Sequence, residues 1–119
     1  MGSVALSHPL PEAIVELVAQ RFRVLGEPFR IRLLERLRDG EASFAELVDV
    51  VGTTQQNVSK HLNVLLQAEM VSRRKEGTSS FYAIADESVF RLCEEVCGSL
   101  ERRMEAMGDL LAGARASGS

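Results

Sequence analysis

A mainly helical fold, with about five helices and one two-stranded β-hairpin, follows from three observations. Apolar residues recur at helical spacing through most of the 119 residues. After Met70 the period shortens from 3.6 to 2, the spacing of a half-buried strand. Glycine or proline stands at the breaks between these segments, where helices start and stop.

Residues 12–25 place Ile14, Leu17, Val18, Phe22 and Leu25 on one apolar face. Gly26 interrupts this helix, and Pro28 suits the first turn of the next, where its missing amide would have had no partner anyway. The second helix buries Leu33, Leu34 and Leu37, with Ile31 or Phe29, and Gly40 closes it. Ser43 and Glu46 stand in capping-box relation and open a short helix with Phe44, Leu47, Val48 and Val51 inside, ended by Gly52. A second box, Thr53 with Gln56, opens the helix spanning residues 53–70, whose apolar stripe is Val58, Leu62, Leu65 and Leu66. VSRRK and SSFYAIA flank EGT as two strands around a glycine-centred turn. Asp86 or Ser88 starts the last helix, expected to run to about Leu111. Along it Phe90, Cys93, Cys97, Leu100, Met104, Met107 and Leu111 alternate steps of three and four, a seam that calls for a second helix. The organisation expected is a flexible segment over 1–11, one domain over 12–112, and a disordered tail over 113–119.

The length suits one domain with a modest core. Charged residues at 26% and hydrophobic residues at 45% are ordinary for a globular chain. No apolar run approaches the ~20 residues that cross a bilayer, and the first residues lack a secretion signal. The expected location is the cytoplasm, where the two cysteines stay reduced. A net charge of −3 speaks against a generic nucleic-acid binder, but its distribution is uneven. Residues 20–38 carry six arginines against two glutamates, and residues 53–84 carry four cations against two acids. Residues 86–109 carry three arginines against seven acids, so the acidity sits at the C-terminal end.

The helix over 53–70 has a second face made of Gln55, Gln56, Ser59, Lys60 and Asn63. Amides pair bidentately with adenine edges, serine donates or accepts, and lysine reaches guanine or phosphate. No carboxylate interrupts this face, and a carboxylate there would repel a phosphate backbone. Two short helices joined by a tight glycine-containing turn, the second carrying such a face, form a helix-turn-helix reader of double-stranded DNA. The hairpin beside it is then a wing, with Arg73, Arg74, Lys75 and Thr78 placed to hold phosphates or a minor groove. A solvated face on a core helix is the competing reading, and the acid-free face, capped turn and basic hairpin together outweigh it. His61, on the flank of the same helix, is expected to pack or to touch a phosphate rather than to read a base.

Three stretches, VLGEPFRIRLLERL, TTQQNVSKHLNVLLQAEMV and RRKEGTSSFYAI, resemble the opening, the reader and the wing of the ArsR/SmtB family of winged-helix repressors. Glu69 and Met70 replace a commoner Ala-Gly or similar pair of that family. The resemblance covers residues 13–107 and implies a homodimer, paired through its first and last helices, on an inverted-repeat operator from which an inducer releases it. Neither well-known metal site of the family is carried over. The third-helix motif falls on residues 41–47, where its cysteine positions hold Ser43 and Ala45. The last-helix site keeps Asp86 but has Ser88, Ser99 and Arg102 at the other ligand positions, and arginine stays protonated.

Cys93 and Cys97 lie one turn apart on one helix face. They read either as small apolar seam residues or as a thiol sensor, open to an oxidant or to a soft metalloid such as arsenite where two subunits bring four sulfurs together. No other cofactor is implied. A Gly-rich phosphate loop, a metal-ligand set and a supported Ser/His/Asp set are all missing from the sequence, so an enzyme is not expected. The alternatives to a signal-released repressor are a signal-independent regulator and a winged-helix adaptor for another protein.

Overall fold

The computed structural model describes residues 8–117. Expectations for 1–7 and for the last two residues lie outside the described range. The elements run α1 (Glu12–Leu25), α2 (Pro28–Leu37), β1 (Ala42–Ser43), α3 (Phe44–Val51), α4 (Gln55–Gln67), β2 (Val71–Glu76), β3 (Ser79–Ile84) and α5 (Glu87–Ser117). The chain divides after Ala85 into two units, the second being α5 with Asp86 before it.

Local chemistry explains most boundaries of the first unit. Pro28 opens α2, and the Glu27 carboxylate accepts the Arg30 amide at 3.0 Å as its cap. Ser43 Oγ accepts the Glu46 amide at 3.1 Å and donates to its carboxylate at 3.2 Å, so the expected box opens α3. Gly52 ends that helix in the left-handed region, φ 72°. The opening of α4 differs from expectation by one residue. Thr54 is the cap, its Oγ1 accepting the Asn57 amide at 3.1 Å, while Thr53 Oγ1 accepts from the Asn57 side chain at 3.3 Å. With two threonines in tandem either spacing is satisfiable, and the extended Thr54 (ψ 156°) decides it.

α4 also stops at Gln67 rather than at Met70. The Met70 amide donates to Leu65 O and the Glu69 amide to Leu66 O, each at 3.0 Å, which is a Schellman turn with Glu69 at the left-handed position, φ 59°. A side chain there costs ~1 kcal/mol that glycine avoids. Glu69→Gly is therefore expected to raise stability by roughly 0.5–1 kcal/mol, seen as a thermal midpoint about 2–6 °C higher by circular dichroism. A midpoint that stays put or falls would mean that the Glu69 side chain contributes more than its backbone costs.

The hairpin pairs Val71 with Ile84 through Glu76 with Ser79, leaving Gly77 and Thr78 as a two-residue turn with positive φ (63°) at the glycine. A third strand, absent from the sequence reading, completes an antiparallel sheet in the order β1-β3-β2, with Ala42 opposite Tyr82 and Ser43 opposite Phe81. Packing of α2 against α3 and α4 closes the core around Leu33, Leu34, Leu37, Leu47, Val51, Val58, Leu62 and Leu65, with Met70 and Val71 buried where the chain enters β2. Within this core Leu33, Leu47, Leu62, Leu65 and Met70 are wholly shielded from solvent. Of the alternatives for α2, Phe29 is half-buried and Ile31 is exposed.

Within the first unit the apolar face of α1 is left exposed among the described residues. Leu17 is 61% exposed, Phe22 56% and Val18 41%, and only Val24 of this helix is buried. α5, taken alone, is capped by Asp86, whose Oδ1 accepts the Ser88 amide at 2.9 Å. It continues past the expected end at Leu111, so residues 113–117 are helical rather than irregular. Its Leu100, Met104, Met107 and Leu111 are all more than half exposed. No helix of the described residues is long and apolar enough to cross a membrane.

Candidate nucleic-acid interface

Two elements of the first unit hold the candidate site, α4 and the β2–β3 hairpin. α4 buries Val58, Leu62 and Leu65 and turns Gln55, Gln56, Ser59, Lys60 and Asn63 outward, all exposed. The division follows from helical geometry, since the buried residues fall at steps of four and three and the polar ones fill the opposite arc. The acid-free character of the sequence pattern thus becomes a physical surface about two and a half turns long.

The wing needs a finer reading than its sequence invited. Arg73, Arg74 and Lys75 are all exposed on β2, but successive side chains of a strand point to opposite faces. Arg74 is engaged within the protein. Its Nε and one terminal nitrogen donate to the two Glu41 oxygens at 2.8 and 2.7 Å, and its other terminal nitrogen donates to Glu76 at 2.6 Å. The guanidinium also lies 4.5 Å from the centroid of the Phe81 ring. Hydrogen bonding to Arg74 holds the Glu41 carboxyl below its ordinary range, and the two carboxylates push the arginine further up. Two acids therefore offset this cation, and its fork is occupied.

Arg73 faces differently. With Ser59 of α4, Ser43 at the start of α3, and Thr78, Ser79 and Ser80 of the hairpin, it lines a groove of about 420 Å³ between reader and wing. A strip of hydroxyls around one guanidinium is suited to phosphate oxygens, which accept hydrogen bonds and carry charge. From the sequence Ser43 is read only as a helix cap, Ser79 only as a hydroxyl of the hairpin, and Ser80 is given no role. They lie far from Ser59 along the chain, and only the docking of β1 beside β3 gathers them.

The arginine-rich stretch 20–38 is largely spoken for as well. Arg36 donates to Glu46 at 3.0 Å and to Gly40 O at 3.3 Å. Arg21 donates to Ala68 O at 3.2 Å, and Arg23 to the Gln20 side chain at 3.3 Å. Arg30 reaches from α2 to His61 of α4, donating to Nδ1 at 3.0 Å. His61 is thereby a packed residue, 5% exposed, with its ring 5.6 Å from that of Phe29. Burial pushes its pKa below the usual imidazole value, with Arg30 and Lys60 adding to the shift and Glu27 opposing it.

On α5, Cys97 is exposed and Cys93 half-buried, and neither is in a disulfide.

The Helix-turn-helix domain family model matches residues 25–74, which cover α2 through the first half of the hairpin. The chain is similar to the HTH-type transcriptional regulator KmtR of Mycobacterium tuberculosis, 36% identical over 92% of this chain and 89% of that one. It is similar also to the arsenical resistance operon repressor of Bacillus subtilis, 31% identical over 72% of this chain and 84% of the relative. Among solved structures, the homodimeric winged helix-turn-helix DNA-binding domain Mb0332 of Mycobacterium bovis, described as a possible ArsR-family regulator, superimposes with a TM-score of 0.72 at 26% identity, over 83% of this chain and 94% of that one.

Proposed function

The chain belongs to the ArsR/SmtB family of winged helix-turn-helix transcriptional repressors, and from that premise we propose how this DNA-binding regulator meets its operator. Two copies pair through α1 and α5, and their α4 helices enter successive major grooves about 34 Å apart on an inverted repeat. Gln55, Gln56, Ser59, Lys60 and Asn63 read base edges, while Arg73, Lys75 and Thr78 hold flanking phosphates. The observation that carries this reading is the exposed, acid-free face of α4 beside the hydroxyl-lined groove. The exposed apolar faces of α1 and α5 support the pairing, because contiguous apolar surface of this kind is normally covered by a partner. Bound across a promoter, such a dimer excludes polymerase. Selection from random duplex DNA tests the reading. An inverted repeat should be enriched, whereas an adaptor for another protein would enrich nothing.

The contribution of the wing is separable. Removing the charges of Arg73 and Lys75 together should weaken binding to all sequences alike and lower the slope of log affinity against log salt by about 2, one unit per phosphate contact. Arg74→Ala should change the slope little, since Glu41 and Glu76 already offset that charge. A slope unchanged by the double substitution would remove the wing from the interface.

Release from DNA is assigned to the thiols of α5, where Cys97 is open to reagents and Cys93 lies one turn before it on the same face. Arsenite or a mild oxidant should lower the operator affinity of the wild type and leave the double Cys→Ser variant unaffected. Equal, unchanged affinity in both proteins would reduce Cys93 and Cys97 to packing residues.

A further inference from the structure

The last turn of a helix leaves carbonyl groups without partners inside the helix. In α1 these include Arg23 O and Val24 O, and one side chain from the next helix meets both. Arg30 donates from Nε to Val24 O at 2.6 Å and from a terminal nitrogen to Arg23 O at 3.5 Å. Its other terminal nitrogen donates to His61 Nδ1 at 3.0 Å. A single rigid guanidinium thus ties the end of α1 and the start of α2 to the middle of α4, next to Lys60 in sequence and two residues from Ser59.

This tie depends on a proton. Nδ1 accepts from Arg30 only while it carries no hydrogen, which assigns the proton of the neutral ring to Nε2. Once Nδ1 is protonated, two donors face each other 3.0 Å apart in a shielded site. Glu27 Oε2 lies 3.7 Å from Nδ1 and is then an acceptor for its proton. That same oxygen caps α2 by accepting the Arg30 amide. A protonated His61 therefore loses Arg30 and competes for the cap of α2. The charged groups acting on the ring are Glu27 and Arg30, from the cap and first turn of α2, and Lys60 on α4 itself. α1 contributes its backbone carbonyls through Arg30.

We propose that Arg30 and His61 form a proton-sensitive joint that positions the reading helix α4 against the α1–α2 corner, so that acidification weakens DNA binding. The proposal rests on the DNA-reading function assigned to α4. Arg30 and His61 are positioning residues, since both act through the placement of Lys60 and its neighbours. The expected sign is opposite to simple electrostatics, in which a more positive protein binds a polyanion more tightly as pH falls. The window is set by the depressed imidazole pKa, so the loss develops as pH falls below about 6.5. Stability moves in the same direction, because below that pH the unfolded chain binds a proton that the folded chain resists.

The experiment measures affinity of the full chain for a selected inverted repeat at constant salt, from pH 7.5 to 5.5, with circular dichroism at each pH to follow folding. Wild type should weaken by about tenfold. His61→Asn keeps an acceptor near the Nδ1 position and cannot titrate, so its profile, taken relative to its own affinity at pH 7.5, should lack that loss. Arg30→Lys cannot span the carbonyls and Nδ1 together, so it should bind more weakly at pH 7.5 with a flattened profile. A wild-type affinity that holds or tightens on acidification overturns the joint. So does a His61→Asn profile that falls in parallel with wild type, or, should that variant not fold, an Arg30→Lys profile that does so. A wild type that binds no duplex at pH 7.5 overturns the DNA-reading function instead, and the joint with it.

Discussion

Phe22→Asp should convert the protein to a monomer and abolish tight operator binding while leaving helix content unchanged. Phe22 is 56% exposed in the single chain, so its replacement removes little from the core. In a two-fold dimer built on α1 the substitution acts twice. Each copy loses roughly 1–1.5 kcal/mol of apolar burial, about half of what a fully covered phenylalanine contributes. Each copy also forces a carboxylate into an apolar contact, which costs at least as much again unless water reaches it. Together the two copies lose upwards of about 4 kcal/mol, more than about five hundredfold in dimer dissociation. Operator affinity should fall further than the reading face alone would suggest, because a single half-site no longer holds its neighbour at high local concentration. Light scattering coupled to size exclusion, followed by operator titration, checks both. A variant that remains dimeric and binds the operator normally would place the subunit contact away from α1.

Gln56→Ala combined with Lys60→Ala should reduce specific binding by about 2–6 kcal/mol, the sum of two base or phosphate contacts worth ~1–3 kcal/mol each. The two side chains are four residues apart on one face of α4, so some coupling is expected and the sum is an upper range. Both side chains are exposed and lie outside the core. Thermal stability should therefore change by less than about 0.5 kcal/mol. The informative comparison is between the selected repeat and a scrambled duplex. Loss confined to the repeat identifies base reading, and equal loss on both identifies phosphate contact. A double variant with full affinity for the repeat would mean that another face of the protein enters the groove.

Much of this architecture is determined by the sequence alone because its signals are local. Helix periods, the Pro28 start, the Ser43–Glu46 box, the Gly52 stop and the Gly77 turn each depend on residues within one or two turns of each other. The division of α4 into an apolar stripe and an acid-free face has the same origin, since a helix converts spacing directly into direction. Where two threonines stand in tandem, the sequence reading places the cap at Thr53, and the structure places it one residue later, at Thr54.

Tertiary structure decided what local chemistry leaves undetermined. β1 is two residues long, too short to carry a period, and exists only because β3 offers it an edge. That pairing brings Ser43 toward the wing groove and Glu41 to Arg74, which engages within the protein a cation that looks equivalent to Arg73 in sequence. His61 appeared to be a flank residue, and only the approach of α2 converts it into a buried acceptor for Arg30. Conversely, the face of α1 that looks like core stays exposed, because helical periodicity records that a face must be buried and not whether the same chain or a second copy buries it. Contacts between residues distant in sequence depend on how elements dock, and docking is set by summed packing over the whole core rather than by any one motif.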